Sequence, residues 1–321
     1  MCIAILSTAH PDYRLIVCNN RDEFFHRPTS RAAWWPSPHS HVLGARDLAR
    51  AVHGTWLGIT RQGRLAILTN YHEDSREKAI GNCSRGEIVN RWLTLPPDSP
   101  QTTDGFTAEY TRNGDTQPIG GFNLVCGNVL EERPLAVLSN RGAAAAGKHV
   151  HWVAGRPGET VAVSNTSFGD QSWDKVGLGE RGVAEAIAAH ARAPGEDEDA
   201  LVERLMGVLS ADTLTRLGKD VELEAYLEHL PRSVFVPPVG RPDDDEVGVG
   251  ASNGAVTGES PLPGAPSAAC FRGLYGTQKQ TVVLVGYDGR VRFVERTLYD
   301  EQGRLVPEES RDLSFEFVCE R

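Results

Sequence analysis

Cys2 follows directly after Met1, and the chain reaches Asn20-Arg21-Asp22-Glu23 soon afterwards. If Met1 is removed, Cys2 carries a free α-amino group beside its thiol. An α-amine has a pKa of about 7.7–8.0, so a useful fraction is a neutral base at physiological pH and can deprotonate the thiol. This pattern is typical of an amino-terminal nucleophile that attacks an amide carbonyl. The alternative is a buried cysteine that only packs.

Arg21 and Asp22 are the predicted partners of Cys2. A guanidinium beside the thiol would favour the thiolate, and a carboxylate would orient the ammonium by charge-assisted hydrogen bonds. A hairpin with its loop near residues 7–13 would bring residues 18–23 back beside residue 2. Two other interpretations stay open: the Arg-Asp pair can be a solvated salt bridge, and a retained Met1 would block the α-amine mechanism.

Three predicted strands end in a hydroxyl residue followed by asparagine, at Asn70, Asn140 and Asn165. Asparagine is a common turn residue, and each could be only that. A carboxamide donor at a strand end can instead hold a developing oxyanion, where one donor is worth about 3 kcal/mol.

Alternating apolar runs separated by turn residues predict a series of β-hairpins. The strongest signal is Asp288-Gly289 between two such runs near the carboxyl end. The predicted strand pairs are 2–6 with 14–18, 54–60 with 64–70, 122–129 with 135–140, HVHWVAG with TVAVSN, and the runs on either side of 288–289.

Predicted helices fill the gaps between these hairpins. Ser84, followed three residues later by Glu87, has the pattern of a capping box that begins a helix over 84–95. Apolar residues at helical spacing predict further helices over 179–193, 198–212 and 222–230. Strands and helices in this order predict an α+β fold in which mostly antiparallel sheets are covered by helices.

The segment from Pro237 to Ala269 is rich in Pro, Gly, Ser and acidic residues and has no periodic apolar face. We expect it to be a mobile surface insertion and not a domain boundary, because the hairpin after it is too small to fold alone. The prediction is a single domain over residues 1–321.

Composition excludes several classes of partner. A net charge of −10 and a pI near 5.5 argue against nucleic acid, which requires a basic face. The sequence contains neither a transmembrane-length apolar run nor the basic and apolar regions of a signal peptide, so we expect a chain that begins at Met1 or Cys2. Six cysteines without CxxC spacing favour a reduced, intracellular compartment.

Aromatic and histidine residues offer weaker signals. Trp34 and Trp35 stand in a probable loop and are candidates for the lip of an apolar pocket, whereas Trp56 and Trp92 are expected in the core. His149 and His151 would share one face of a strand, but no third ligand accompanies them, so we predict no metal site.

An ordered set of motifs carries a family resemblance. The motifs are MCIAIL, NNRDEFFHRPT, GTWLGIT, LTNY, SRG, GGFNLV, LSN, SNTSFG, SWDKV and LYGTQKQTVVLVGYDGRVRFVERTLYD. The chain resembles the transport and Golgi organization family, also called the NRDE family after the motif that begins here at Asn20. The resemblance implies a four-layer αββα sandwich similar to N-terminal-nucleophile hydrolases, especially the choloylglycine hydrolases.

The resemblance also implies roles for individual residues. Cys2 would be the nucleophile, Arg21 and Asp22 its immediate partners, and Asn70 and Asn165 the oxyanion or orienting groups. The candidate ligand contacts are Asn20, Glu23, Trp34, Trp35, Tyr71, Tyr275 and Thr277. One position departs from the family pattern, because Gln278 stands where many relatives have arginine.

Two functions follow as hypotheses. The first is a carrier that handles haem or an acyl lipid in Golgi organization, secretion and mitochondrial homeostasis, with no required cofactor and haem only as cargo. The second is a cysteine amidohydrolase that cleaves a non-peptide C–N bond. The resemblance places the protein in the cytoplasm, associated with mitochondria or Golgi, and the missing guanidinium at Gln278 favours the carrier.

Overall fold

The computed structural model describes residues 1–73, 84–113, 119–132, 135–141, 150–218, 221–241 and 273–320. Within them the strands form two antiparallel sheets. Sheet one has the order β10-β1-β2-β11-β12-β13, with β1 Ile3–Ser7, β2 Tyr13–Phe24, β10 Thr160–Val163, β11 Tyr275–Gly286, β12 Arg290–Thr297 and β13 Asp312–Val318. Sheet two runs from β3 to β9 in sequence order, with β3 Ala33–Trp34, β4 Val42–Gly44, β5 Leu57–Thr60, β6 Arg64–Asn70, β7 Phe122–Asn128, β8 Leu135–Ser139 and β9 His151–Val153.

Helices cover the outer face of each sheet. They are α1 Gly86–Leu93, α2 Thr103–Asn113, α3 Asp174–Ala191, α4 Glu198–Leu209, α5 Leu223–Tyr226 and α6 Glu308–Arg311, with a 3₁₀ turn at Leu230–Arg232. Apolar side chains of α3 and α4 pack on sheet one, and those of α1 and α2 pack on sheet two. The inner faces of the two sheets pack on each other through a third apolar cluster. The four-layer αββα sandwich is therefore confirmed.

The first hairpin is longer than predicted. Ile3 pairs with Asn20, and β2 continues for twelve residues to Phe24 because β11 pairs with it along almost its whole length. Arg21 and Asp22 consequently lie inside a central strand and not in a loop. The register breaks once near this end, with an irregularity between Thr277 and Lys279.

One predicted hairpin is wrong. The runs HVHWVAG and TVAVSN do not pair, because β9 joins β8 in sheet two while β10 joins β1 in sheet one. The chain crosses between the sheets here. The edge of β1 would otherwise be unpaired, and β10 covers it from Ala4 opposite Val163 to Ser7 opposite Thr160. This crossing delivers Asn165 to the amino terminus.

Local helix signals were only partly right. The capping box at Ser84 does not form, because α1 begins at Gly86 with Arg85 as its N-cap and without a side-chain cap hydrogen bond. The helix predicted over 222–230 is one short turn, α5, followed by the 3₁₀ turn that contains Pro231. Helix α2 and the edge strand β13 were not predicted.

Two glycines set how closely α1 approaches sheet two. A methyl group added at Gly54 would lie 2.8 Å from the Cα atom of Gly86, and one added at Gly86 would lie 3.0 Å from the Cα atom of Gly54. Both distances are below normal carbon contacts, so only a backbone without side chains fits at this point. The GTW and SRG motifs therefore meet in space.

The predicted insertion lies mostly outside the described residues, which end at Arg241 and resume at Gly273. The described part before it is tied to β11, because Val239 and Tyr275 form an isolated antiparallel bridge.

Across the described ranges, no helix combines the length and the apolar character needed to cross a membrane.

A chain of hydrogen bonds links the first turn to α3 and α4. The backbone N–H of Asp12 donates to His10 Nδ1 at 3.1 Å, His10 Nε2 lies 3.0 Å from His190 Nδ1, and His190 Nε2 lies 3.0 Å from the Asp197 carbonyl oxygen. All three contacts are satisfied only when both imidazoles are neutral. Burial lowers the pKa of His10, with His190 acting in the same direction and Asp12 opposing.

We expect the free energy of unfolding to decrease as the pH falls below about 6.5. The unfolded chain binds a proton at His10 near that pH, whereas the folded chain resists it because its pKa is lowered. In His10→Asn, which keeps an acceptor for Asp12 N–H, the decrease between pH 7 and pH 5 should be smaller. Urea unfolding at several pH values measures the free energy of unfolding, and the substitution His151→Asn at an exposed position is the control. An equal decrease between pH 7 and pH 5 in the unmodified protein and both variants would contradict the prediction.

Candidate functional site

Cys2 lies at the open end of β1, between the ends of β2 and β10. Its Sγ contacts the backbone carbonyl oxygen of Asp22 at 3.8 Å, and Ser164 Oγ donates a 2.8 Å hydrogen bond to the carbonyl oxygen of Cys2. The thiol is half-buried. Strand pairing on both sides therefore brings the predicted nucleophile beside the predicted Asp22, as the hairpin argument required.

Asp22 is the centre of a buried polar cluster. Its Oδ1 accepts a 2.7 Å hydrogen bond from Thr277 Oγ1, and its Oδ2 lies 3.4 Å from the Met1 ammonium and 3.5 Å from Lys175 Nζ. The hydroxyl of Tyr275 donates to the Asp22 carbonyl oxygen at 3.2 Å and accepts a hydrogen bond from the Met1 ammonium. One carboxylate thus holds two cations at the start of the chain.

Lys175 is the residue of the candidate site that sequence reasoning missed. It lies in the first turn of α3, its side chain is 0% exposed, and Nζ donates a 2.6 Å hydrogen bond to the Met1 carbonyl oxygen. A lysine in the first turn opposes the helix dipole, and it stands directly before the buried Val176. These two features of the SWDKV motif were the signal by which the sequence could have pointed to Lys175 as a site residue.

Protonation at the amino end follows from this burial. Burial raises the pKa of the Cys2 thiol, and the Met1 ammonium opposes that shift. Burial also lowers the pKa of the Met1 ammonium, with Asp22 opposing. With Met1 in place the thiol is a protonated group without an α-amine of its own.

Two guanidinium groups act electrostatically on Cys2. Arg21, which is buried, donates from Nη1 to Gln278 Oε1 at 2.7 Å and lies 4.7 Å from the centre of the Trp56 ring. Arg85 donates to the Gly121 carbonyl oxygen at 3.3 Å, and burial lowers its pKa to about 10 against the opposing charge of Glu23. Neither has a carboxylate within 4.0 Å among the residues that the structure describes.

The predicted asparagines divide into two kinds. Asn165 Nδ2 donates to the Asn70 carbonyl oxygen, while its Oδ1 is buried and finds no hydrogen-bond partner in the described part of the chain. Asn165 is therefore at the site with an unused acceptor, and Asn70 contributes its backbone there. Asn140 instead closes a turn, accepting from Phe122 N–H at 2.9 Å.

Other candidate ligand contacts lie around or away from this cluster. Tyr71 Oη is 3.1 Å from Ser167 Oγ, just after Asn165, and Glu23 Oε1 accepts from the Phe24 N–H at 3.0 Å. Asn20 faces the helical layer, where Nδ2 donates to the carbonyl oxygens of Leu209 and Val234 at 2.8 and 2.9 Å. Its side chain holds helices against sheet one.

The two adjacent tryptophans do not form a common lip. Trp35 is buried among the α1 and α2 contacts and donates from Nε1 to the Gly44 carbonyl oxygen at 3.0 Å. Trp34 packs edge-on against Phe317, and the Arg61 guanidinium lies 3.9 Å from its ring centre. Trp34 is the last residue of β3 and Trp35 directly follows it, and successive side chains of an extended chain point to opposite faces, which separates the two rings.

A cavity of about 600 Å³ lies elsewhere, beside the loop between β9 and β10, where Trp152, Arg156 and Glu159 line it. This loop meets the far end of β1, since Thr8 N–H donates to the Glu159 carbonyl oxygen at 2.9 Å. The cavity is thus separated from Cys2 by the length of that strand.

His149 lies outside the described residues, and no group of three His, Cys, Asp or Glu side chains within the described ranges could hold a metal ion.

Comparison with known proteins identifies relatives along nearly the whole chain. The sequence profile of the family described as Transport and Golgi organisation 2 matches residues 1–300. The bovine Transport and Golgi organization protein 2 homolog is 31% identical over 89% of this chain and 87% of its own length, and the human one is 29% identical over 90% and 88%. An uncharacterized protein of Saccharomyces cerevisiae is 26% identical over 98% of this chain and 99% of its own.

Solved structures give weaker likenesses. A variant of conjugated bile acid hydrolase from Clostridium perfringens covers 99% of this chain and 98% of its own, with 10% identity and a TM-score of 0.46. A Caenorhabditis elegans ortholog of N-acylethanolamine-hydrolyzing acid amidase covers 64% and 85%, with 12% identity and a TM-score of 0.42. At these scores the likenesses support no conclusion about activity.

We expect Asp22→Asn to lower the free energy of unfolding by about 3–5 kcal/mol, because it leaves the buried Lys175 ammonium without its carboxylate. Urea unfolding at pH 7 measures the change. Glu196→Gln, which removes the carboxylate of an exposed ion pair with Arg204, should leave the unfolding midpoint unchanged. A similar small effect in both variants would contradict the prediction.

We also expect the Cys2 thiol to be alkylated slowly at pH 7.5 and faster above about pH 9, because its pKa lies above that of an ordinary cysteine. Peptide-level mass spectrometry after brief iodoacetamide treatment of the folded protein gives the rate at Cys2. The fully buried Cys18 should stay unlabelled and reports that the fold is intact. Rapid labelling of Cys2 below pH 7 would show an activated thiolate instead.

Proposed function

This chain belongs to the Transport and Golgi organisation 2 family, and from that membership we propose that its Cys2 site binds an anionic amphiphile, haem or an acyl lipid. By this proposal the protein carries that ligand in support of Golgi organization, secretion and mitochondrial homeostasis. The ligand is cargo and not a resident cofactor. The protein would act in the cytoplasm, with peripheral association to mitochondria or Golgi.

The observation that carries the proposal is a pair of guanidinium groups that have no carboxylate within 4.0 Å in the described part of the chain. Among the described residues, the side chain of Arg21, which is 4% exposed, donates to a neutral amide, and that of Arg85 donates to a backbone carbonyl oxygen. Both guanidinium groups lie close enough to Cys2 to act on it electrostatically. A buried guanidinium without a carboxylate is costly unless a ligand supplies the negative charge. A fatty-acid carboxylate or a haem propionate supplies it with bidentate geometry.

Gln278 supports the same interpretation. It occupies an irregularity in β11 and accepts the hydrogen bond from Arg21. An arginine at this position, as many relatives have, would place a second cation against the Arg21 guanidinium. Because glutamine is neutral, the positive charge of Arg21 stays available to an external anion, and a single arginine at this point suffices for the proposed binding.

The thiol adds a second contact that differs between the two ligands. A cysteine sulfur is an axial ligand of haem iron, whereas an acyl lipid needs only the cations and apolar walls. Coordination requires loss of the thiol proton, which its raised pKa opposes. Haem binding through Cys2 should therefore strengthen as the pH rises.

Amide hydrolysis is a second candidate, favoured by Asn165. Its Nδ2 already donates to the Asn70 carbonyl oxygen, but its buried Oδ1 has no hydrogen-bond partner among the described residues. The residue before it, Ser164, donates to the Cys2 carbonyl oxygen, so this free acceptor could orient the α-amine of a chain that begins at Cys2. A hydrolase would need the Met1–Cys2 bond cleaved, because the α-amine now belongs to Met1 and is held by Asp22. Haem binding by the carrier has no such requirement.

Titration of the full chain with ferric haem, followed by absorbance, and with a fluorescent fatty acid tests the carrier. We expect Arg21→Gln to weaken both ligands roughly tenfold, which corresponds to the loss of about 1.4 kcal/mol from one charged contact. Cys2→Ala should change the haem spectrum and leave fatty-acid affinity nearly intact. Cys319→Ala is the matched control, because Cys319 directly follows the edge strand β13 and is not part of the Cys2 site.

Absence of saturable binding of either ligand would overturn the carrier proposal. If a chain that begins at Cys2 instead releases nitroaniline from an acyl p-nitroanilide, and Cys2→Ala abolishes that release, hydrolysis takes its place. Intact-mass analysis of each preparation records whether Met1 is present.

A further inference from the structure

The Met1 side chain fills a specific apolar recess beside Cys2. It is 10% exposed and packs against a buried cluster at one end of the central strands β2 and β11 of sheet one. The members of this cluster, the Met1 recess, are Phe24, Leu214, Tyr226, Leu230, Val236, Val239 and Tyr275. Chain ends are usually mobile unless something holds them, so a first residue packed this way requires an explanation.

Polar groups bind the Met1 backbone at the mouth of the recess. The fully buried Lys175 ammonium donates to its carbonyl oxygen at 2.6 Å, and the Asp22 carboxylate lies 3.4 Å from its ammonium. The recess thus has an apolar wall and a cation at its opening. Met1 fills it with an unbranched side chain, and the Met1 carbonyl group lies at the opening.

We propose that the Met1 recess is an acyl-binding subsite, which Met1 fills until it is removed. In a chain that begins at Cys2, an unbranched acyl group takes the same place, with its carboxylate or carbonyl oxygen on Lys175 and its chain along Leu214, Leu230 and Val239. This inference rests on the proposed function, because it supplies the seat for the acyl form of the ligand. It adds Lys175 as a contact of the head group beside the guanidinium groups, and it adds the condition for binding.

Removal of Met1 leaves the Lys175 ammonium with fewer oxygen partners, which favours the binding of a carboxylate. Lys175 Nζ has two oxygen partners, and one of them leaves with Met1 while Asp22 Oδ2 stays. The hydroxyl of Tyr275 also loses the ammonium to which it is bonded. An ammonium that is 0% exposed then has free donor capacity facing an apolar recess, which a carboxylate oxygen satisfies and a hydrocarbon without a head group does not.

A retained Met1 excludes the ligand efficiently. It is tethered to the site, so its effective concentration is far above that of any free fatty acid. The two forms of the chain should therefore differ in affinity for a short fatty acid, even though every residue from Cys2 onward is the same.

The test uses two forms of the full chain, released from a cleavable leader so that one begins at Met1 and the other at Cys2. Intact mass verifies each end, and isothermal titration with decanoate measures affinity. We expect the form that begins at Cys2 to bind decanoate at least about tenfold more tightly. Lys175→Met in that form should remove the gain, whereas Arg181→Gln, an exposed charge on the same helix, should not.

A second variant guards against misfolding of Lys175→Met. Val239→Phe narrows the recess without removing a polar group and should weaken decanoate, and its circular dichroism spectrum verifies that the variant is folded. Equal decanoate affinity in the Met1 and Cys2 forms, or an Lys175→Met variant that is folded and binds as tightly as its parent, overturns the subsite. If Arg21→Gln still weakens haem or fatty acid in that case, the carrier proposal stands without the subsite; if neither form binds either ligand, both fail.

Discussion

The buried carboxylate of Asp22 is the interaction on which the site depends. It is fully enclosed, and it stabilises the Met1 ammonium and the Lys175 ammonium at once while Thr277 fixes its second oxygen. Burying three charged groups is favourable only when each has partners, and here the strands supply them. The central pair β2 and β11 positions Asp22 and Thr277 opposite each other, so the sheet register itself determines where the amino end of the chain is held.

The rest of the architecture adds groups around that centre from every layer. The segment directly after β10 contributes Ser164 and Asn165, helix α3 contributes Lys175, and the N-terminus of α1 contributes Arg85. Sheet two lies close enough that Asn165 reaches the backbone of β6 across the sandwich. The thiol therefore lies between the Asp22 carboxylate, which is paired with two ammonium groups, and two guanidinium groups that have no carboxylate within 4.0 Å among the described residues.

Sequence could predict the parts of this arrangement that are local or short in range. The β1–β2 hairpin follows from two apolar runs and a turn, and it brings Cys2 next to Asp22 without any knowledge of the remaining chain. The α+β layering follows from the alternation of hairpins and amphipathic helices. Lys175 could not be placed in this way, because its burial depends on how α3 packs on sheet one, some 170 residues from its partner in the chain.

Identical local signals also had different outcomes. Asn140 and Asn165 both follow a serine at a strand end, yet one closes a turn and the other reaches the site, because β8 and β10 belong to different sheets. The chain crossing between β9 and β10 has no local signature, and it was mistaken for a hairpin. The roles of the site residues in binding or catalysis remain predictions, whereas their positions are now known.

The contact between Gly54 and Gly86 has a consequence for the charge beside the thiol. Arg85 is the residue immediately before Gly86, so its guanidinium is held at a distance from Cys2 that the thickness of two bare backbones determines. A methyl group on either side would lift the start of the helix away from the sheet and carry that positive charge with it. The position of this positive charge thus depends on the absence of a side chain at two glycines.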